Sequence, residues 1–152
     1  MIDFLQRALE FAAANEKTAE LVYKRWGQHA TTARVKSILA ELGAAERGHH
    51  EMLLHLSPTE IAPKRAEPPH AAVIAELLVD IPIPTDLLSR DDIAAAVRRE
   101  EALAALYELL ADLGGETAPL FFSLAVEEKR HRHVLLAEFR TKEDTSAGRG
   151  CT

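Results

Sequence analysis

The sequence predicts an all-α protein: a four-helix bundle of two antiparallel hairpins joined by a long crossover. Three observations carry that expectation. Ala and Leu supply 47 of the 152 residues, while aromatic residues supply only 5%; Ala and Leu are strong helix formers, and the aromatic residues that favour strands are few. Apolar residues recur at helical spacing along four long stretches. Six of the seven prolines fall within residues 57–88, between the second and third of those stretches.

The first helix is read over residues 2–26, from the recurrence of Phe4, Leu5, Ala8, Leu9, Ala12, Ala19, Val22, Tyr23 and Trp26, with Gly27 as its C-cap. The second is read from Thr31 to Leu56, along Val35, Ile38, Leu39, Leu42, Met52 and Leu53. Pro58, Pro63, Pro68, Pro69, Pro82 and Pro84 then mark the crossover, and a short helix near Ala71–Val79 is expected inside it, after Pro68-Pro69. Ser89-Arg90-Asp91-Asp92 resembles a capping box and opens the third helix, which stops at Gly114-Gly115. The fourth starts near Thr117-Ala118-Pro119, where Pro is tolerated in the first turn, and runs to about Arg140. One domain over residues 1–140 is expected, followed by a polar tail over 141–152. Helices of this length reach about 35 Å. The two short turns make antiparallel hairpins, and the crossover has enough chain to run the whole length of the bundle.

Composition excludes several function classes. Hydrophobic residues at 47% and charged residues at 28% are an ordinary globular balance. No 18-residue apolar run predicts a membrane span, and Met1-Ile2-Asp3-Phe4 lacks the basic and apolar regions of a signal peptide, so a cytoplasmic location is expected. The single cysteine, Cys151, excludes a disulfide framework and any metal site built from several thiolates. A net charge of −6 with no basic stripe argues against a nucleic-acid partner.

The chemistry lies in carboxylates placed where apolar residues belong. Glu100 has Ile93, Ala96, Val97, Leu103, Ala104 and Tyr107 as its helical neighbours, all apolar or aromatic. Glu16 has Leu9, Ala12, Ala13, Ala19 and Tyr23; Glu46 has Leu39, Leu42 and Leu53; Glu128 has Phe121, Leu124, Ala125 and Leu135. One glutamate from each helix therefore points into the core. Burying an unpaired carboxylate costs several kcal/mol, so four together require cations. His49 follows Glu46 by three residues and His131 follows Glu128 by three, and side chains at that spacing share a helical face. Each Glu-x-x-His pair offers an oxygen and a nitrogen to one metal, with Glu16 and Glu100 completing the ligand set of a carboxylate-bridged di-metal bundle. Iron, manganese and zinc all suit such donors.

An internal repeat supports this. Glu16 and Tyr23 are matched by Glu100 and Tyr107 at an offset of 84 residues, and Glu46 and His49 by Glu128 and His131 at an offset of 82. Each hairpin thus carries Glu-x6-Tyr and then Glu-x-x-His, with the two glutamates centred near the turn, so that all four meet at one level.

On the segments Glu16–Tyr23, Leu42–His49, Glu100–Tyr107 and Leu124–His131, the chain resembles the ferritin-like superfamily, most closely its rubrerythrin-like members. The resemblance covers residues 2–140. It implies two iron ions per chain, bridged by Glu46 and Glu128 with Glu16 and Glu100 as terminal ligands. It also implies an enzyme that oxidises Fe(II) or reduces peroxide or oxygen; the alternative is an iron-handling protein with little turnover. Two departures stand out. The four-cysteine rubredoxin module of rubrerythrins is missing, so electrons must come from a separate donor protein or from Fe(II) itself. Leu103 stands where rubrerythrins place an extra carboxylate. A homodimer is expected, with no storage shell.

The remaining candidates have blander readings. Glu20, beside Lys17 and Lys24, and Glu101, beside Arg98, read as a solvated face; Glu127 competes with Glu128 but has Arg130 three residues on, where a ligand histidine would stand. Tyr23 and Tyr107 are expected to orient ligand carboxylates. Trp26, Phe121 and Phe122 read as core. No Lys or Arg is expected on the buried stripe.

Overall fold

The computed structural model describes residues 1–62 and 89–139, all of them helix, turn or connection with no strand. Five helices follow in order: α1 (Ile2–His29), α2 (Ala33–Leu53), α3 (Pro58–Ile61), α4 (Arg90–Asp112) and α5 (Ala118–Glu138). The expected helix near 71–79 and the tail lie outside the described residues.

α1 and α2 form one antiparallel hairpin, and α4 and α5 form a second. α1 runs through Gly27 instead of ending there, and stops at Ala30, whose backbone is extended. Carrying the helix past Trp26 lets both Trp26 and Ala30 bury against Leu39 of α2. Thr32 caps α2, its side chain accepting from the Val35 N–H at 3.2 Å. α2 ends at Leu53, three residues earlier than its apolar stripe suggests, because Ser57 and Glu60 form a reciprocal capping box that starts α3. The same device opens α4: Ser89 Oγ accepts from the Asp92 N–H, and Asp92 accepts from the Ser89 N–H, both at 3.1 Å.

Two contacts fix how the hairpins face each other. At one end, the Thr117 N–H and hydroxyl both donate to the Glu60 carbonyl, at 3.4 and 3.2 Å, which ties α3 to the α4–α5 turn. That turn needs both its glycines. Gly114 adopts φ +69°, and a Cβ on Gly115 would stand 2.5 Å from the Ile61 carbonyl oxygen. At the other end, the Arg34 guanidinium donates twice to the Glu138 carboxylate, at 3.0 and 2.7 Å, joining the start of α2 to the end of α5. The first described segment therefore ends beside the α4–α5 turn. The second resumes at the opposite end, where Ile93, Ala96 and Val97 meet Trp26 and Leu39.

The core is divided. One apolar cluster gathers Leu5, Leu9, Leu53, Ile61, Leu106, Leu110, Phe121 and their neighbours. The other gathers Val22, Trp26, Leu39, Leu42, Val97 and Leu135. Between them lies a polar layer. Phe121 is buried as expected, but Phe122 is 64% exposed and does not belong to the core. It sits 100° further round α5 than Phe121, off the buried stripe. No described helix is long and apolar enough to cross a membrane.

Candidate metal centre

Each hairpin contributes one long helix carrying Glu-x6-Tyr and one carrying Glu-x-x-His, and their polar side chains meet between the two apolar clusters. Glu16 arrives from α1, Glu46 and His49 from α2, Glu100 from α4, and Glu128 and His131 from α5. The four glutamates and His131 are fully buried, and His49 is 3% exposed. All six residues expected from the sequence are thus brought together.

Their donor atoms form two overlapping groups. One holds Glu16, Glu46, His49 and Glu128, and the other holds Glu46, Glu100, Glu128 and His131; within each, one donor atom per residue lies within 4.8 Å of the others. Glu46 and Glu128 belong to both. An approximate two-fold axis relates the halves. His49 Nδ1 stands 2.8 Å from Glu128 and 3.3 Å from Glu46, while His131 Nδ1 stands 2.9 Å from Glu46 and 3.6 Å from Glu128. The outer carboxylates follow, with Glu16 3.6 Å from His49 Nδ1 and Glu100 3.9 Å from His131 Nδ1. The two imidazoles stack, centroids 5.6 Å apart and 19° between planes.

The tyrosines cross the bundle. Tyr23 donates its hydroxyl to Glu100 Oε1, and Tyr107 donates to Glu16 Oε1, so each hairpin orients the outer carboxylate of the other. Tyr23 leaves Glu100 Oε2 toward His131, whereas Tyr107 and His49 approach the same oxygen of Glu16, Oε1, and Glu16 Oε2 is buried without a hydrogen-bond partner. Burial raises both phenol pKa values well above the usual tyrosine range, and the neighbouring carboxylates add to it, so both hydroxyls stay protonated donors.

The carboxyl groups divide into two kinds. Burial, reinforced by Glu128, raises Glu16 well above the usual carboxylate range; burial, reinforced by Glu46, does the same for Glu100. Burial opposes ionisation of Glu46 and Glu128 too, but His131 and His49 outweigh it and lower both, Glu128 to about 2. Burial likewise opposes charge on the imidazoles, but the carboxylates prevail. Glu128 and Glu46 lift His131 to about 9, and Glu128, Glu16 and Glu46 lift His49 further. Without metal, at pH below the raised values of Glu16 and Glu100, two neutral carboxyls, two carboxylates and two imidazolium ions leave these six side chains with no net charge.

Protons balance this charge but do not satisfy the geometry. The 2.8 and 2.9 Å approaches of Nδ1 to carboxylate oxygens miss the alignment of a hydrogen bond. Nine buried atoms of these six side chains have no hydrogen-bond partner: one oxygen each of Glu16 and Glu100, both oxygens of Glu46 and Glu128, His49 Nδ1, and both nitrogens of His131. An unsatisfied buried polar atom costs roughly 1–3 kcal/mol. Nine would cost as much as the whole stability of a small domain, roughly 5–15 kcal/mol. Oxygen and imidazole donors converging in this way fit divalent cations.

Two neighbours escaped the sequence reading. Glu127 is no ligand: its carboxylate accepts from His49 Nε2 at 2.8 Å, which holds that imidazole with Nδ1 toward the cluster. Arg99 is 2% exposed, against the expectation of no cation on the buried stripe. Its helical neighbours Ala95, Ala96, Ala102 and Leu103 are all apolar, and that signal was available. Burial lowers its pKa, opposed by Tyr23 and by Glu100, Glu46 and Glu16. One guanidinium does not offset four carboxylates. His50 turns away from the cluster, with Nδ1 2.8 Å from the Ala13 carbonyl. Glu20 pairs with Lys17, and Glu101 pairs with Arg132 instead of Arg98.

Comparison with known proteins gave no matching family model, no matching curated protein and no matching solved structure.

Proposed function

We propose that this chain is a ferritin-like di-iron carboxylate oxidoreductase, related to rubrerythrins, that oxidises Fe(II) or reduces peroxide or oxygen. The observation that carries the proposal is the sharing of Glu46 and Glu128 between two donor groups, each completed by one glutamate and one histidine. That is the donor set of two metal positions with two bridges. Glu16 and His49 would serve one position, and Glu100 and His131 the other. These residues would hold two iron ions, which, when bound as Fe(II), would supply one electron each toward the two-electron reduction of a peroxide.

The chain's own residues keep the site ready for that chemistry. Tyr23 and Tyr107 hold Glu100 and Glu16 through one oxygen, leaving the other to bind. Glu127 fixes the tautomer of His49. The two apolar clusters exclude water from above and below. Residues 1–140 hold no cysteine, so within them the four glutamates and two histidines are the metal-binding donors.

Full burial of the ligands also favours a second reading, in which the chain holds iron with little turnover. Stopped-flow absorbance separates the two. The oxidoreductase reading expects peroxide to oxidise the Fe(II)-loaded protein within seconds, and Glu46→Ala to abolish that phase. Oxidation no faster than that of free Fe(II) would leave iron handling as the function.

A further inference from the structure

The six donor residues are shut off from water, and any ion they hold must cross that barrier. His49 is nearly buried and the other five are fully buried. Tyr23 and Tyr107, bonded to the outer carboxylates, are buried as well. Glu127 is different. Its carboxylate accepts from His49 Nε2 at 2.8 Å, yet its side chain is 45% exposed. Among the described residues it is the one side chain that both bonds to a member of the cluster and stands well out in water.

The other half of the site has no counterpart. The offset of 82 residues that maps Glu46 onto Glu128 maps Ala45 onto Glu127, so a methyl group stands where the second carboxylate would be. His131 Nε2 is accordingly buried without a hydrogen-bond partner. The two halves match in their inward donors and differ in their outward faces. A partner that only orients a ligand histidine would be needed by both histidines alike. A surface carboxylate on one side alone suits a task that the site needs once.

We propose that Glu127 and His49 form the doorway through which divalent metal ions enter and leave the cluster. The proposal rests on the di-metal reading. Glu127 is the carboxylate that a cation meets from solvent. An ion on that carboxylate competes with the His49 Nε2–H for its oxygens and so frees the imidazole from its outer anchor. The ring then turns aside and admits the ion to Glu16, Glu46 and Glu128, whose oxygens stand against its Nδ1. The chain gives the ring little to push against: Ala45 lies one turn before it on α2, and a Cβ on Gly48 would meet nothing within 4 Å. Glu46 and Glu128 belong to both donor groups, so an ion admitted on the His49 side passes along them to Glu100 and His131. One doorway serves both positions.

The test is the rate of Co(II) uptake by the full chain, followed by stopped-flow absorbance, and of its release into excess EDTA. Glu127→Gln keeps an amide oxygen that accepts from His49 Nε2–H and loses the charge that draws a cation. Uptake and release should both slow by about tenfold, the effect of one charged contact. A residue on the path changes the two rates by the same factor, whereas a residue that stabilises the bound state changes their ratio. Glu101→Gln removes the same charge at a similarly exposed side chain, 47%, which bonds to Arg132 and not to the cluster. Its two rates should match those of the wild type. Unchanged uptake in folded Glu127→Gln would overturn the proposal, and so would unchanged uptake with faster release, the mark of a residue that only orients His49. Equal slowing in Glu101→Gln would also overturn it, since net charge would then be the cause. A wild-type chain that takes up no Co(II), Fe(II) or Zn(II) at equilibrium overturns the di-metal reading and the doorway with it. Full uptake with unaltered rates in Glu127→Gln overturns the doorway alone.

Discussion

Loading the site with metal should release protons in a number that the cluster dictates. In the metal-free protein the raised groups are Glu16, Glu100, His49 and His131, and the lowered groups are Glu46 and Glu128. Two carboxylates and two imidazolium ions sum to zero. Two divalent ions with four carboxylates and two neutral imidazoles also sum to zero. The exchange is therefore four protons for two ions when all four raised groups start protonated. As pH rises through the raised carboxyl pKa values of Glu16 and Glu100, release should fall toward two, and above the His131 value of about 9 it should fall further, since His131 then starts neutral. Four protons correspond to about 5.4 kcal/mol of binding free energy per pH unit for the pair, at 1.36 kcal/mol per proton. The assay is anaerobic Fe(II) or aerobic Zn(II) titration of the metal-free protein in weak buffer, with a pH indicator, repeated from pH 5 to pH 9. Release approaching four at the acid end and declining with pH is the expected result. Release below two at pH 6, or release that does not vary across the range, would refute the charge assignment.

The stability of the metal-free protein should follow the same groups. Glu16, Glu100, His49 and His131 have raised folded-state pKa values, so their contribution is full below their unfolded values, about 4.3 and 6.5, and is lost as pH rises. Glu128 is lowered to about 2, so its contribution is full above about 4.3 and is lost toward pH 2. The site's contribution should therefore peak near pH 4–5, and thermal melts should show metal-free Tm falling from pH 5 to pH 9 while metal-loaded Tm falls less; a metal-free Tm that climbs over that interval would contradict the assignment. Tyr107→Phe strips Glu16 of its donor, and should cost roughly 1–3 kcal/mol in denaturant melts and weaken metal binding by about 10–100-fold; unchanged affinity would remove the positioning role. Leu103→Glu introduces a carboxylate one turn after Glu100, at the place where rubrerythrins carry one. Leu103 is fully buried, so the variant should lose stability without metal and, once loaded, speed peroxide-driven oxidation in single-turnover absorbance; equal rates at equal loading would show that Leu103 does not limit turnover.

Much of the site was legible because helical periodicity is local. The apolar neighbours of Glu16, Glu46, Glu100 and Glu128 put each carboxylate on a buried stripe, and the equal spacing about the two turns put them at one level. The tyrosine pairings were half legible. Their seven-residue spacing predicted burial near a glutamate, but not that Tyr23 would reach Glu100 and Tyr107 reach Glu16, because that depends on how the two hairpins face each other. Glu127 was missed for the same reason: its partner lies on α2, and nothing on α5 signals it. Arg99 was missed differently. Its neighbours are apolar, but a long side chain at such a position can carry its charge out to water, and periodicity does not decide which way it turns. Phe122 shows the converse: an apolar residue beside the stripe that packing leaves outside. The extension of α1 past Gly27 reflects burial of Ala30, a tertiary gain that exceeds the glycine's local penalty of about 1 kcal/mol.

The most direct test of the central claim is metal content. The full chain, purified without chelators and analysed by inductively coupled plasma mass spectrometry, should carry two transition-metal ions per chain after loading, and Glu46→Ala, which removes a donor shared by both groups, should carry fewer than one. Two ions per chain in the wild type, with loss in the variant, is the predicted result. A folded wild-type chain that holds no metal after anaerobic Fe(II) loading, or a Glu46→Ala chain that still holds two, would contradict the account.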